Sequence, residues 1–266
     1  MDFKQQYGPW ALVAGASEGI GEAWCRRLAE RGLNVVLVAR REAPLRAAAA
    51  ELESRFGVQT EVLVLDLGSP DLIGRVAAAT AALDIGFVVY NAAHADVSEF
   101  TSQSIAGKLL TIDVNCRGLV LLASHFAERL VARGRGALVL MSSMSGWQGT
   151  AMMATYAASK AFITVLGESL WSELRPLGVD VHVCIAGATL TPNFKAQTPV
   201  AKQRMAFPME PAAVVDAMLQ RLGGGPTVIA GRVNRGVHVL LGKLIPRTAA
   251  VRFFSRTTRD MYGKPR

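Results

Sequence analysis

Short apolar runs alternate along this chain with stretches in which apolar residues recur every three or four positions. Residues 11–14, 34–39, 61–65, 86–90 and 137–141 are apolar runs of strand length, and 180–185 and 227–230 supply two more. Between them Ile20, Trp24 and Leu28 mark one helical face, and Leu45, Ala49, Leu52 and Phe56 another. Gly32 and Gly57 stand where a left-handed residue would end each helix. Ser69-Pro70 predicts a further helix start, an N-cap followed by proline at the first helical position. Strands that are apolar throughout need cover on both faces. The pattern therefore predicts an α/β fold, with a parallel seven-stranded sheet between helices and ligands beyond the carboxyl ends of the strands. No repeat or low-complexity linker interrupts it, so residues 1–266 read as one doubly wound domain.

The first strand runs into Gly15-Ala16-Ser17-Glu18-Gly19-Ile20-Gly21, which opens the first long helix. Small residues there let backbone approach a pyrophosphate, and the helix start offers free N–H groups and a positive dipole end. A tight turn packing helix on sheet would use the same glycines, but the strand–turn–helix context favours a Rossmann-type dinucleotide site. Its candidate contacts are Gly15, Ser17, Glu18, Gly19, Ile20 and Gly21. A carboxylate at the end of the second strand would accept bonds from a ribose and repel a 2′-phosphate. This chain places Arg40 and Arg41 there, and two guanidiniums can pair with a phosphate dianion. The expected cofactor is NADP(H).

Tyr156 and Lys160 lie four residues apart in an alanine-rich, helix-favouring stretch, so both project from one face. A phenol normally titrates near pH ~10. A neighbouring ammonium favours the phenolate and makes proton exchange with a substrate oxygen feasible near neutrality. Tyr-x-x-x-Lys alone is a weak signal. Ser143, just past the fifth strand, strengthens it, since a hydroxyl there could hold a carbonyl and stabilise developing charge. Ser142 and Ser145 compete for that role.

The glycine spacing GxxxGxG, with Asn115, the serine cluster, Tyr156 and Lys160 in order, resembles the short-chain dehydrogenase/reductase family over about residues 8–192. The resemblance implies hydride exchange between NADP(H) and a carbonyl or alcohol carbon. Ser143 is selected as the catalytic serine, thirteen positions before Tyr156, and Asn115 as the anchor of a water leading to Lys160. It further implies adenine contacts from Asp66 and Leu67, a cofactor wall from Asn91 and Ala92, and nicotinamide contacts from Gly187, Thr189 and Thr191, besides Tyr156 and Lys160. Ala14, Tyr90, Ala93 and Ala186 depart from the family's threonine, asparagine, glycine and proline. Gly8-Pro9-Trp10, Asn34-Val35-Val36-Leu37 and Asp84-Ile85-Gly86 look like the 17β-hydroxysteroid dehydrogenase and long-chain 3-oxoacyl reductase branch, which implies steroid or fatty-acyl substrates. Dimers or tetramers through the helices bearing Asn115 and Tyr156 follow by the same resemblance.

On the substrate side, residues 192–210 lack clean periodicity where the family has a lid. Phe194, Phe207 and Met209 there, with Trp147, Met152, Met153 and His94, suggest an apolar, adaptable pocket for an uncharged lipophilic ketone or alcohol. From Arg232 to Arg266 stand nine Lys/Arg and one Asp/Glu, so the net charge of +8 belongs to the tail and residues 1–231 are balanced. Leu240, Leu241, Leu244 and Ile245, with Arg247, Arg252, Arg256, Arg259, Phe253 and Phe254, read as a basic amphipathic helix at 232–266. It could pack on its own domain or on another subunit, or lie peripherally on an anionic membrane. Nucleic-acid binding is not expected, because no stacking platform accompanies the charge. Three scattered cysteines and histidines without ligand spacing give no disulfide framework and no metal site. With no secretory pattern at the start, a cytoplasmic setting is expected. The alternative to an enzyme is a nucleotide-binding sensor or scaffold on the same fold; a nucleotide-sugar epimerase ranks last.

Overall fold

Alternate residues of the strands go to opposite faces of one sheet. In β1 (Trp10–Ala14) Ala11 and Val13 enter one core while Leu12 and Ala14 enter the other. The same division holds for β2 (Asn34–Ala39), β4 (Ile85–Tyr90) and β5 (Gly136–Ser143). With β3 (Thr60–Val64), β6 (Val179–Ala186) and β7 (Thr227–Ile229), they form a seven-stranded sheet in the order β3-β2-β1-β4-β5-β6-β7, every pairing parallel. The computed structural model describes residues 2–240 and 245–262, so Leu241 and Leu244 of the tail lie outside the described residues.

The helices are α1 (Phe3–Tyr7), α2 (Gly19–Ala29), α3 (Glu42–Phe56), α4 (Leu72–Thr80), α5 (Ile105–Ile112), α6 (Gly118–Arg133), α7 (Ala154–Leu174), α8 (Pro192–Gln197), α9 (Val200–Gln203), α10 (Pro211–Leu219), α11 (Arg232–Val239) and α12 (Arg247–Tyr262). Residues of α2, α3 and α10 cover one face; those of α4, α6 and α7 cover the other. The anticipated stop at Gly57 is a left-handed cap whose amide bonds the Glu53 carbonyl. The start expected at Ser69-Pro70 is displaced. Ser69 instead bonds Asp71, and α4 begins at Leu72. Strand order reverses between β1 and β4, and ligands of doubly wound sheets bind at such a switch point.

Candidate active site

At the switch point the glycine turn leaves no room for side chains. A Cβ on Gly21 would lie 1.8 Å from the Gly15 carbonyl oxygen, and one on Gly15 would lie 2.7 Å from the Ala92 Cα. Gly15 and Gly19 both have positive φ, 86° and 60°, which glycine adopts without strain. A Cβ on Gly19 would meet Thr191 at 2.8 Å, so the turn also sits against the segment after β6. Asn91 donates to the Gly15 carbonyl at 2.9 Å and fixes the turn to the end of β4. No side chain caps the N-terminus of α2. Uncapped helix amides beside a bare backbone cradle fit a pyrophosphate.

Arg40 and Arg41 stand exposed at the end of β2 and differ in what they touch. Arg41 pairs with Glu18 at 2.7 Å and reaches Ser17 at 3.4 Å, across the glycine turn. Arg40 has no ion pair among the described residues, which leaves its guanidinium available to a phosphate. Asp66 is exposed after β3 with Oδ1 accepting from the Gly68 amide, and Leu67 is buried beside it. Gly187 packs under Asn234 of α11, Thr189 donates to the Gly187 carbonyl, and Thr191 caps α8.

The serines at the end of β5 separate by their bonds. Ser142 is buried; its hydroxyl donates to the Lys160 carbonyl and meets Thr164, both at 2.8 Å, which fastens α7 to the sheet. Ser143 takes the other face, with its hydroxyl near enough to the Tyr156 phenol to act on its pKa. Its Oγ accepts from the Ser145 amide at 3.2 Å. Burial holds the Tyr156 phenol above its ordinary pKa, while the Ser143 hydroxyl pulls it down. Lys160 is buried, with its ammonium 5.6 Å from the Tyr156 ring centre, donating to the Met141 carbonyl at 2.7 Å. Burial lowers its pKa to about 8. The ammonium thus lies over the phenol ring, within the range at which a cation is attracted to an aromatic face.

Asn115 sits in a π-helical turn (Asp113–Arg117) between α5 and α6 and is fully buried. Its Oδ1 accepts from the His94 amide, and its Nδ2 donates to the His94 carbonyl and to the Ser159 hydroxyl. Both side-chain donors are therefore engaged with protein, and the side chain ties the loop after β4 to α7. Tyr90, standing where the family has asparagine, donates to the Val114 carbonyl of the same turn.

A cavity of about 400 Å³ opens beside this set, lined by His94, Ala95, Asp96, Val97, Gly107, Gln197 and Tyr262. Its wall is more polar than the apolar pocket expected from sequence. Of the expected substrate residues, His94 lines it, with its ring held by Thr111 at 3.0 Å. Burial lowers the His94 pKa, and the charge of Arg40 adds to the effect. Trp147 instead stacks on His238 of α11 and packs on the cluster of Met144, Val183 and Ile185. Met153 precedes α7, where its carbonyl takes the Ala157 amide, and Phe194 lies half-buried in α8. The segment 192–210, expected as a lid, is pinned at its base, where the Leu190 amide donates to the Met209 carbonyl, the Met209 amide donates to the Ala188 carbonyl, and Thr189 bridges Met209.

Sequence reasoning missed Tyr262. It comes from α12, whose inner face carries Ala250, Phe254, Thr258 and Tyr262 at four-residue spacing. Thr258 meets Thr150 at 2.8 Å, Ser255 accepts from the Ala151 amide, Arg259 pairs with Glu99 and Lys202 bonds the Asp260 carbonyl. The tail packs on its own domain with Arg252 and Arg256 outward. The four-residue repeat was visible in the sequence, but the charge drew attention away from it. Among the described residues no helix is long and apolar enough to cross a membrane, and no group of side chains could hold a metal ion.

The family model for short chain dehydrogenases matches residues 9–201. A 7beta-hydroxysteroid dehydrogenase of Collinsella aerofaciens is 35% identical over 242 residues, 90% of this chain and 92% of that protein. A very-long-chain 3-oxoacyl-CoA reductase of Pyricularia oryzae is 32% identical over 81% of this chain and 65% of its own length. A solved 7beta-hydroxysteroid dehydrogenase superposes with a TM-score of 0.91 at 32% identity, over 96% of this chain and 99% of that one. A Sphingobium yanoikuyae short-chain dehydrogenase in complex with NADPH gives 0.76 at 30% identity, over 90% and 97%. Both expected branches, hydroxysteroid and oxoacyl, are among the relatives, though the hydroxysteroid relatives named here are 7β rather than 17β enzymes.

Proposed function

Because the chain belongs to the short chain dehydrogenase family, we propose that it is an NADP(H)-dependent oxidoreductase interconverting a hydrophobic ketone and a secondary alcohol, steroid-like or fatty-acyl-like, with Tyr156 as general acid and base. The observation that carries this reading is the Tyr156 phenol, beside Ser143 at the carboxyl edge of the sheet and with the buried ammonium of Lys160 over its ring at 5.6 Å. The glycine cradle, the uncapped start of α2 and the unpaired Arg40 fit the phosphates of NADP(H), with Asp66, Leu67, Asn91, Ala92, Gly187, Thr189 and Thr191 along the remainder of the site. The bound cofactor supplies or accepts the hydride.

The chain's own residues handle the proton. Ser143 holds the substrate oxygen by its hydroxyl. Tyr156 gives its phenolic proton to that oxygen during reduction and takes it back during oxidation. Lys160, charged below its pKa of about 8, stabilises the phenolate left behind. Asn115 acts by position, holding the His94 loop and α7 in register.

A sensor or scaffold would not need this set intact. Exposed Ile105, Leu109 and Ile112 on α5, and Phe162 and Val165 on α7, offer a face to a second copy, in keeping with a homodimer or homotetramer. Membrane contact through α12 is not proposed, because the helix packs Ala250, Phe254 and Tyr262 on its own domain and leaves Phe253 exposed among outward arginines. The test is NADPH oxidation against a panel of 7-oxosteroids, 3-oxoacyl thioesters and small ketones. Turnover of the lipophilic members is expected; nucleotide binding with no turnover across the panel would favour the scaffold.

A further inference from the structure

Four of the seven residues lining the cavity at the His94 loop are polar: His94, Asp96, Gln197 and Tyr262. The reacting oxygen is already served by Ser143 and Tyr156. His94 spends one ring nitrogen on Thr111. Asp96 uses Oδ1 for the Ser98 hydroxyl, and its Oδ2 has no hydrogen bond among the described residues. The Gln197 amide likewise has none and is exposed. A lipophilic substrate that covered these groups without bonding them would strip them of water with no bond in return. A wall of this kind suits a substrate with a polar group facing it.

The position of Tyr262 is built rather than incidental. Its helix is fastened to three other segments: residues 150–151 through Thr258 and Ser255, the loop bearing Glu99 through Arg259, and residues 192–210 through Lys202 and Asp260. The phenol is half-buried, lies close enough to Tyr156 to influence it, and stands beside Thr198 of the lid.

We propose that Tyr262, with Asp96 and Gln197, binds a second oxygen on the substrate, remote from the carbonyl that reacts, so that the preferred ketone also carries a hydroxyl. This inference rests on the reductase reading above. The phenol can donate to or accept from that hydroxyl, Asp96 accepts from it, and the Gln197 amide does either. Substrates lacking the group cover the Tyr262 phenol and the free Oδ2 of Asp96 without bonding them, and sites built to bond a substrate hydroxyl discriminate strongly against the deoxy analogue.

The test compares a 3-hydroxy-7-oxosteroid with its 3-deoxy counterpart, in the wild-type protein and in Tyr262→Phe, which keeps the ring and its packing. The wild type is expected to favour the hydroxylated compound by roughly tenfold or more in kcat/KM, through KM. Tyr262→Phe should lose most of that preference, through a rise in KM for the hydroxylated compound. Equal efficiency on both compounds in the wild type, an undiminished preference in Tyr262→Phe, or an equal loss on both compounds would overturn the inference while leaving the reductase reading intact. Turnover of neither compound by the wild type would overturn the steroid reading on which it stands.

Discussion

Asn115 grips the backbone of His94 from both sides, accepting from its amide at 2.7 Å and donating to its carbonyl at 3.0 Å. The remaining donor goes to Ser159 on α7. Asn115→Ala would leave two half-buried groups, the His94 amide and carbonyl, without their partner, each costing about 1–3 kcal/mol, while Ser159 keeps its bond to the Tyr156 carbonyl. The variant should unfold at clearly lower urea concentration and lose activity with it. Asn115→Asp, which lacks the donors, should fall between the two. Unaltered urea midpoints would show that the clamp is dispensable.

The two serines at the end of β5 should separate in experiment as they do in bonding. Ser143→Ala is expected to lower kcat by about 10²–10³-fold with the fold unaffected, because it removes a donor to the reacting oxygen. Ser142→Ala should instead destabilise by about 1 kcal/mol, since its hydroxyl fastens Lys160 and Thr164. Paired kinetics and thermal melts decide; the reverse pattern would exchange their roles.

Much of this site was legible because it is local. GxxxGxG, Ser143 and Tyr-x-x-x-Lys are short spacings on a strand end and a helix face, and the strands were marked by unbroken apolar runs whose residues bury both faces. Choosing Ser143 over Ser142 needed the family spacing, since adjacent residues of a strand differ only in which face they take; Ser142 spends its hydroxyl on Lys160 and Thr164. Tyr262 was illegible because its place depends on contacts with residues more than one hundred positions away, Thr150 and Ala151 among them. The engagement of both Asn115 donors was hidden for a similar reason, as His94 and Ser159 come from different elements.

Nucleotide preference should rest mainly on Arg40. Arg41 already has Glu18 as a partner, whereas Arg40 has no ion pair among the described residues. Arg40→Asp should weaken NADPH binding tenfold or more and shift preference toward NADH; Arg41→Asp should do less. Titration of both nucleotides against each variant checks this, and an unchanged preference in Arg40→Asp would remove the phosphate assignment.

The buried lysine gives stability a pH dependence of definite sign. The folded pKa of Lys160 lies near 8, below its ordinary 10.5. Between those values the unfolded chain binds a proton that the native protein does not, so stability rises with pH across that window. The contribution is complete above 10.5 and is lost as pH falls through 8. Nucleotide-free protein should show this rise in urea denaturation between pH 8 and 10, and Lys160→Met should flatten it. An equal slope in both proteins would place the effect elsewhere.

The most direct test of the central claim is single-turnover NADPH oxidation by Tyr156→Phe with a 7-oxosteroid, alongside NADPH titration of the same variant. Proton transfer from the phenol requires that the rate fall by more than about 100-fold while nucleotide affinity stays within a fewfold of wild type. A variant that binds NADPH and still reduces the ketone at a comparable rate would contradict it.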